Sequence, residues 1–139
     1  MLIEVAAETR QMAYAPYSSY QVGAALVGAS GMVYSGCNVE NASFGLTLCA
    51  ERAAVAKAIS EGEDAFQAIV VVTEDGASPC GACRQVLAEF NPDMDVYLAT
   101  PDGRYQRTTI RELLPNLFNL RRQPVARATG SRTSAISGH

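Results

Sequence analysis

The chain has 139 residues, 48% of them hydrophobic and 18% charged, which suits one globular domain with a core of its own. Its net charge is −3, yet residues 1–118 carry seven Lys/Arg and fourteen Asp/Glu, whereas residues 119–139 carry four arginines and no acid. An acidic body argues against nucleic-acid binding, and the sequence lacks the apolar run of a membrane span and the pattern of a secretory signal. We therefore expect a cytoplasmic protein with reduced cysteines, folded over residues 1–118, with a basic, flexible tail over residues 119–139 that function does not require.

The N-terminal third predicts a helix followed by a β-hairpin. Apolar residues near helical spacing indicate an amphipathic helix over residues 2 to about 13. The Ala15-Pro16 step ends it, because the residue before a proline avoids the helical region. Strand-like segments at residues 20–27 and 32–35 then flank a turn at residues 28–31.

The middle of the chain predicts two helices separated by a strand. After a polar loop, Thr47 is expected to cap a helix that ends near Ser60. The continuous apolar run at residues 68–73 is typical of a strand buried on both faces. Ser78 is expected to cap the next helix, with Pro79 at its first position and its end near residue 90.

The remainder predicts two strands and a short helix. Residues 94–100 and 104–107 indicate strands, and Thr109 with Glu112 has the pattern of a capping box. A hairpin followed by strand–helix–strand crossovers predicts a mixed sheet of about five strands with helices on both faces. The expected fold class is therefore a three-layer α/β/α fold.

Three cysteines and one glutamate near the predicted helix starts carry the chemistry. Cys80 and Cys83 stand at i and i+3, so a helical turn presents both sulfurs on one face. Cys49 and Glu51 stand at another helix start, where one can reach a metal and the other the cavity beside it. Three thiolates leave zinc a position for solvent, which is the mark of a catalytic site. His139 is the sole histidine, which excludes Ser-His-Asp and Cys-His nucleophilic catalysis.

Alternatives exist for several of these residues. A Cys-x-x-Cys pair alone also suits a redox couple or a structural metal site, and the upstream Cys-x-Glu is what favours catalytic zinc. Arg52 and Arg84 follow two of the cysteines closely, so either could donate hydrogen bonds to a thiolate and reduce its excess charge. A surface ion pair is the other interpretation of both arginines, and it is favoured for Arg84 but not for Arg52. Cys37 lacks a partner at a metal-binding spacing and is predicted to be a small buried side chain.

Five segments carry a resemblance to a known family. In order and spacing they resemble the small single-domain cytidine deaminases over roughly residues 10–118. The segments are 17–26 (YSSYQVGAAL), 36–43 (GCNVENAS), 49–52 (CAER), 79–85 (PCGACRQ) and 113–118 (LLPNLF). The resemblance implies a cytidine-deaminase-like fold, with residues 1–118 as the catalytic domain.

The resemblance also implies a reaction. Zn²⁺, one per subunit and bound by Cys49, Cys80 and Cys83, would activate the water that attacks C4 of cytosine, while Glu51 moves the protons. Cytidine and 2′-deoxycytidine would become uridine and 2′-deoxyuridine with release of ammonia, in pyrimidine salvage. The family forms homotetramers with shared active sites, so Phe118 would reach the base in a neighbouring subunit. The other implied substrate contacts are Asn38 and Glu40 for the ribose, the backbone around Ala50 and Ser78 for the base, and Tyr20 and Phe44 along the pocket.

Two features bear on the choice of substrate. Residues i and i+2 of an extended loop point the same way, so Asn38 and Glu40 can bind one hydroxyl as donor and acceptor, and free cytosine should be a poor substrate. Tyr20 and Phe44 depart from the family, which usually has Phe and Tyr there, and the turn between Val72 and Ser78 is short. A deaminase of another cytosine nucleoside, such as blasticidin S, is thus an alternative. A non-catalytic zinc-binding interaction domain is the alternative of another class.

Overall fold

The computed structural model describes residues 1–120, whereas residues 121–139, most of the predicted tail, lie outside the described part. The helices and strands are α1 (Leu2–Arg10), β1 (Gly23–Gly28), β2 (Val33–Cys37), α2 (Ala50–Ser60), β3 (Phe66–Val72), α3 (Gly81–Phe90), β4 (Asp95–Ala99), β5 (Tyr105–Thr109) and α4 (Ile110–Leu113). One 3₁₀ turn, Phe44–Leu46, precedes α2. Among the described helices, none has the length and apolar character that a membrane crossing requires.

The strands form one mixed sheet in the order β2-β1-β3-β4-β5. Strands β3 and β4 are parallel, and the other neighbouring pairs are antiparallel. Helix α1 covers one face, where Ala25, Val70 and Val72 are buried. Helices α2, α3 and α4 cover the other face, around Leu26 and Ile69. The predicted three-layer α/β/α fold with a mixed five-stranded sheet is confirmed.

A glycine lets α2 approach the sheet closely. A Cβ atom on Gly36 of β2 would lie 2.6 Å from the backbone nitrogen of Ala54 and 2.7 Å from the carbonyl oxygen of Ala50. No side chain larger than hydrogen fits there without displacing the helix. This contact seats the start of α2, and with it Cys49 and Glu51, at the edge of the sheet.

Two predicted helix caps are wrong by two residues. Cys49, not Thr47, is the N-cap of α2, and Cys80, not Ser78, is the N-cap of α3. Thr47 uses its hydroxyl differently, accepting a hydrogen bond from the backbone nitrogen of Asn41 at 3.3 Å. As a result, both helices begin at a cysteine. The capping box of Thr109 and Glu112 at α4 is confirmed.

The structure also differs from the prediction at the end of α1 and at the start of β1. The helix stops at Arg10 instead of near Ala13, and the strand starts at Gly23 instead of Tyr20. At β1 the cause is a side chain. The Asn38 amide accepts a hydrogen bond from the backbone nitrogen of Val22 and donates one to the carbonyl of Tyr20, both at 2.9 Å. Residues 20–22 therefore leave the sheet and are held by a side chain instead.

Candidate metal centre and active site

Three cysteine sulfurs converge where α2 and α3 begin. Cys49 and Cys80 are the two N-caps, and Cys83 lies in the first turn of α3. The Sγ atoms of Cys49 and Cys80 are 3.9 Å apart, and all three sulfurs lie within 4.8 Å of one another. A tetrahedral zinc ion with bonds of about 2.3 Å separates its sulfur ligands by about 3.8 Å. The three donors fit one zinc ion.

The electrostatics of the cluster favour a cation. Hydrogen bonding from the Cys83 thiol, with help from Arg52 and Cys80, lowers the pKa of Cys49 to about 5. The same bond, together with burial, raises the pKa of Cys83. Helix N-termini stabilise thiolates, yet one negative charge in the cluster opposes the next. A divalent ion between the sulfurs would therefore favour loss of the proton from Cys83 beside the Cys49 thiolate.

Two arginines follow the cysteines and serve different purposes. The Nη2 atom of Arg52 donates to Cys49 Sγ at 3.3 Å and lies 3.5 Å from the carbonyl oxygen of Thr47. Its buried Nε has no hydrogen-bond partner among the described residues. Arg84 instead donates to the carbonyl oxygens of Pro79 and Leu113, both at 2.8 Å. Arg52 thus places positive charge against a sulfur, whereas Arg84 secures the backbone beside α3.

Glu51 is a buried carboxyl group next to the sulfurs. Its residue is 4% exposed, and Oε1 lies 3.7 Å from Cys83 Sγ. Burial raises the pKa of Glu51. A carboxyl group with a raised pKa can both accept and return a proton near neutral pH, as general acid–base catalysis requires.

A cavity of about 230 Å³ opens onto this cluster. Seven of the predicted site residues line it, namely Tyr20, Asn38, Cys49, Ala50, Glu51, Ser78 and Cys80. Six further lining residues were not among the predicted site residues, namely Val22, Thr47, Val71, Thr73, Ala77 and Pro79. Thr73 had a usable signal, since it directly follows β3 and ligands bind at the carboxyl ends of parallel strands. The others carry no distinctive chemistry in the sequence.

Glu40 and Phe44 line a different space. They lie along a groove of about 350 Å³ with Tyr17, Ser18 and Thr47, and Thr47 also lines the main cavity, so the two spaces adjoin. The Glu40 carboxylate accepts hydrogen bonds from the Ser18 hydroxyl and from the backbone nitrogens of Tyr17 and Ser18. These bonds lower the pKa of Glu40 and keep it ionised. Asn38 and Glu40 therefore border neighbouring compartments.

Phe118 lies outside both spaces. Its residue is 67% exposed, and its carbonyl oxygen accepts a hydrogen bond from Gln85 Nε2 at 2.9 Å. Within the single chain, the ring contributes to neither the cavity nor the groove.

A family model supplies the decisive comparison. The model of the cytidine and deoxycytidylate deaminase zinc-binding region matches residues 1–100. The chain belongs to this family. The match spans all three cysteines and Glu51, and a zinc-binding region agrees with the fit of the three sulfurs to one zinc ion per subunit.

Individual cytidine deaminases resemble the chain over most of its length. The cytidine deaminase of Halalkalibacterium halodurans is 54% identical over 121 residues, covering 85% of this chain and 92% of that protein. That of Sporosarcina psychrophila is 50% identical over 121 residues, covering 85% and 89%. The crystal structure of the Burkholderia pseudomallei cytidine deaminase superposes with a TM-score of 0.81 at 49% identity, covering 84% of this chain and 96% of that one.

Proposed function

We propose that the chain is a zinc-dependent enzyme that hydrolyses cytidine and 2′-deoxycytidine to uridine and 2′-deoxyuridine and releases ammonia. The observation that carries the proposal is the convergence of three cysteine sulfurs beside the buried Glu51 at the end of one cavity. The similarity to cytidine deaminases over more than four fifths of the chain supports the substrate class.

Each residue of the cysteine cluster and its two charged neighbours has a proposed task. Cys49, Cys80 and Cys83 hold zinc, which when bound makes water nucleophilic at neutral pH. Glu51 takes up a proton at its carboxylate, delivers it to N3 of the cytosine ring and assists the departure of the amino group. Arg52 offsets negative charge at Cys49.

The base and the sugar are held by different parts of the site. Ala50 occupies the first turn of α2, where backbone N–H groups lack partners within the helix, and it lines the cavity with Ser78. We assign the backbone at these two residues to the cytosine ring. Asn38 faces the same cavity, with one amide proton and one lone pair left beyond its two backbone bonds. We assign Asn38, with Glu40 in the adjoining groove, to the ribose.

The proposed assembly is a homotetramer with shared active sites. Its support is the exposure of three large apolar side chains near the groove and at the end of the described chain. Phe44 is 75% exposed, Leu46 71% and Phe118 67%. In the tetramer Phe44 and Tyr20 line the substrate site, and Phe118 reaches the base bound by a neighbour. Sedimentation velocity would test this, because a monomeric active enzyme contradicts it.

The remaining parts of the proposal concern the setting. Residues 1–118 form the catalytic domain, and the basic extension of residues 119–139 is dispensable for turnover. Four free cysteines suit a reducing compartment, in line with pyrimidine salvage in the cytoplasm. The acidic charge of residues 1–118 disfavours a polynucleotide substrate.

One experiment tests the reaction against its alternatives. The purified protein is assayed for zinc content, for the ultraviolet change on cytidine loss and for ammonia, before and after exhaustive chelation and zinc return. We expect zinc-dependent release of ammonia from cytidine and little from free cytosine. Bound zinc without ammonia release would favour an interaction domain, and thiol redox activity that survives chelation would favour an oxidoreductase.

Blasticidin S is the second candidate substrate. A blasticidin-S deaminase from Bacillus cereus is 35% identical over 124 residues, against 50% and 54% for the two cytidine deaminases above. The ordinary nucleosides are therefore preferred here. The test is to compare kcat/KM for cytidine and blasticidin S under the same conditions. A higher value for blasticidin S would make the antibiotic the preferred substrate.

A further inference from the structure

A side-chain hydrogen bond beside the cavity joins the segments that flank two inner strands of the sheet, β1 and β3. The Tyr20 hydroxyl donates to Asp75 Oδ1 at 2.7 Å. In the sheet, Gly23 of β1 pairs with Val72, the last residue of β3. Tyr20 lies before the start of β1 and Asp75 lies after the end of β3, so the bond continues the contact between the two strands beyond the sheet.

The hydroxyl proton of Tyr20 is committed to Asp75. The same Oδ1 atom also accepts from the Thr73 hydroxyl at 3.2 Å, and Thr73 in turn accepts from the backbone nitrogen of Ala77 at 2.9 Å. The bonds from Tyr20 and Thr73 lower the pKa of Asp75, so this acceptor is ionised at neutral pH. Burial, with the nearby Asp75 carboxylate, raises the pKa of Tyr20, so the phenol keeps its proton.

The backbone around Tyr20 is fixed on several sides. Its carbonyl accepts from Asn38 Nδ2, and its N–H donates to Ser18 Oγ at 2.9 Å. The preceding residue, Ser19, has φ of +60°, in the left-handed region that a residue with a side chain rarely adopts. Such a conformation persists where surrounding contacts determine it. Tyr20 is thus placed in the cavity wall beside Asn38.

We propose that Tyr20 is a specificity-determining residue for the sugar of the nucleoside, which rests on the deaminase function proposed above. A phenol whose proton points to Asp75 offers the cavity only acceptor lone pairs. Tyr20 and Asn38 line the same cavity, and Asn38 is the side chain assigned above to the ribose, so the group from which the phenol oxygen accepts is a sugar hydroxyl. Asp75 is a positioning residue that acts through Tyr20, by turning the phenol proton away from the substrate.

The test removes the hydroxyl and keeps the ring. The Tyr20→Phe variant is compared with wild type on cytidine, 2′-deoxycytidine, 3′-deoxycytidine and 5′-deoxycytidine. Loss of one hydrogen bond should lower kcat/KM about 3- to 10-fold, chiefly through KM, for the three substrates that carry the recognised hydroxyl. The analogue that lacks this hydroxyl should be unaffected. An equal loss on all four substrates, or no loss on any, would overturn the proposal.

A second variant tests the role of Asp75. The amide in Asp75→Asn can itself donate to the Tyr20 oxygen, so this variant should lower kcat/KM for the same three substrates. Because Asp75 acts through Tyr20, the double variant should be no worse than Tyr20→Phe alone, and additive losses would refute the coupling. If Tyr20→Phe does not fold, the same four nucleosides are compared with the Asp75→Asn variant instead.

Controls separate this inference from the proposed function. Tyr105, exposed on β5 and absent from the cavity wall, provides a matched tyrosine whose Tyr105→Phe change should leave all four substrates unaffected. A wild-type protein that deaminates none of the four contradicts the proposed function itself. A wild-type protein that deaminates cytidine, with a Tyr20→Phe effect that is equal on all four, contradicts the inference alone.

Discussion

The Arg52 guanidinium lies 3.3 Å from the sulfur of Cys49, one helical turn away on α2. Three thiolates around one Zn²⁺ carry a net charge near −1, and this excess weakens the acidity of a bound water molecule. A positive charge fixed beside one sulfur offsets part of this excess negative charge. The i, i+3 spacing of Cys49 and Arg52 brings the two side chains within reach once the turn forms.

Arg52→Gln should therefore weaken both zinc retention and turnover. Partners that orient or polarise metal ligands typically change metal affinity or activity by about 10- to 100-fold. Competition with a chromophoric chelator measures the first, and ammonia release at saturating zinc measures the second. Arg111→Gln is the control, because the exposed Arg111 pairs with Asp93 and not with a cysteine. Equal zinc retention in both variants would show that Arg52 is only structural.

Glu51→Gln should abolish ammonia release and preserve the fold and the zinc content. The amide has nearly the same shape but cannot take up the proton, and loss of general acid–base catalysis costs about 10²- to 10⁴-fold. Zinc analysis and circular dichroism establish that the protein is intact, and a coupled ammonia assay gives the rate. Glu61→Gln, at the exposed end of α2, is the matched control with unchanged rate. Unchanged ammonia release from Glu51→Gln would require a different mechanism.

Arg84→Met should destabilise the folded protein. The guanidinium ties the carbonyl of Pro79, before the cysteine-bearing helix, to the carbonyl of Leu113 in α4. Loss of these bonds from a partly buried site should lower the free energy of unfolding by about 1–3 kcal/mol, as measured by urea titration. Arg104→Met removes an exposed pair with Asp102 and should cost less than about 1 kcal/mol. Similar midpoints for the two variants would contradict this assignment.

The contribution of Glu63 to stability should depend on pH. Its carboxylate accepts from the Ser30 backbone nitrogen and hydroxyl and from the Tyr34 hydroxyl at 3.0 Å. The bonds from Ser30, above all, lower the pKa of Glu63 in the folded state. Its stabilisation is thus complete above the unfolded pKa of about 4.3 and is lost as the pH falls through the lower folded value.

Urea unfolding of wild type and Glu63→Gln across this acidic range provides the test. The difference in unfolding free energy should be largest near neutral pH and shrink as the pH falls below about 4. A difference that stays constant across the range would mean that the charge of Glu63 is not involved.

Periodicity and turn chemistry account for most of the fold. The apolar run before residue 73 predicted a strand buried on both faces, and residues 69–72 of β3 are all buried between α1 and the opposite helices. The starts of α2 and α3 were predicted less accurately, because the caps were assigned to Thr47 and Ser78, whose residue types usually cap helices. Both helices begin at a cysteine without a side-chain cap bond. Function, rather than capping preference, selects the residue there.

Long-range side-chain contacts account for what could not be predicted. Tyr20 and Asp75 are 55 positions apart, and Arg84 and Leu113 are 29 apart, so no local pattern links either pair. The spacing of Cys80 and Cys83, by contrast, is a local pattern. It predicts from the sequence alone that the two sulfurs lie on one face of a helical turn. The early departure of residues 20–22 from the sheet depends on Asn38 and was likewise invisible in the strand pattern.

The sulfur of Cys49 meets that of Cys80 across 31 positions of chain, which include all of α2 and β3. A metal ion bound by both sulfurs cross-links the chain and closes this long loop. Its binding free energy therefore adds to the folding free energy of the domain. Zinc scarcity would therefore act on the amount of intact protein as well as on its activity. Without the ion, the domain would keep its sequence and its sheet but have a smaller free energy of unfolding.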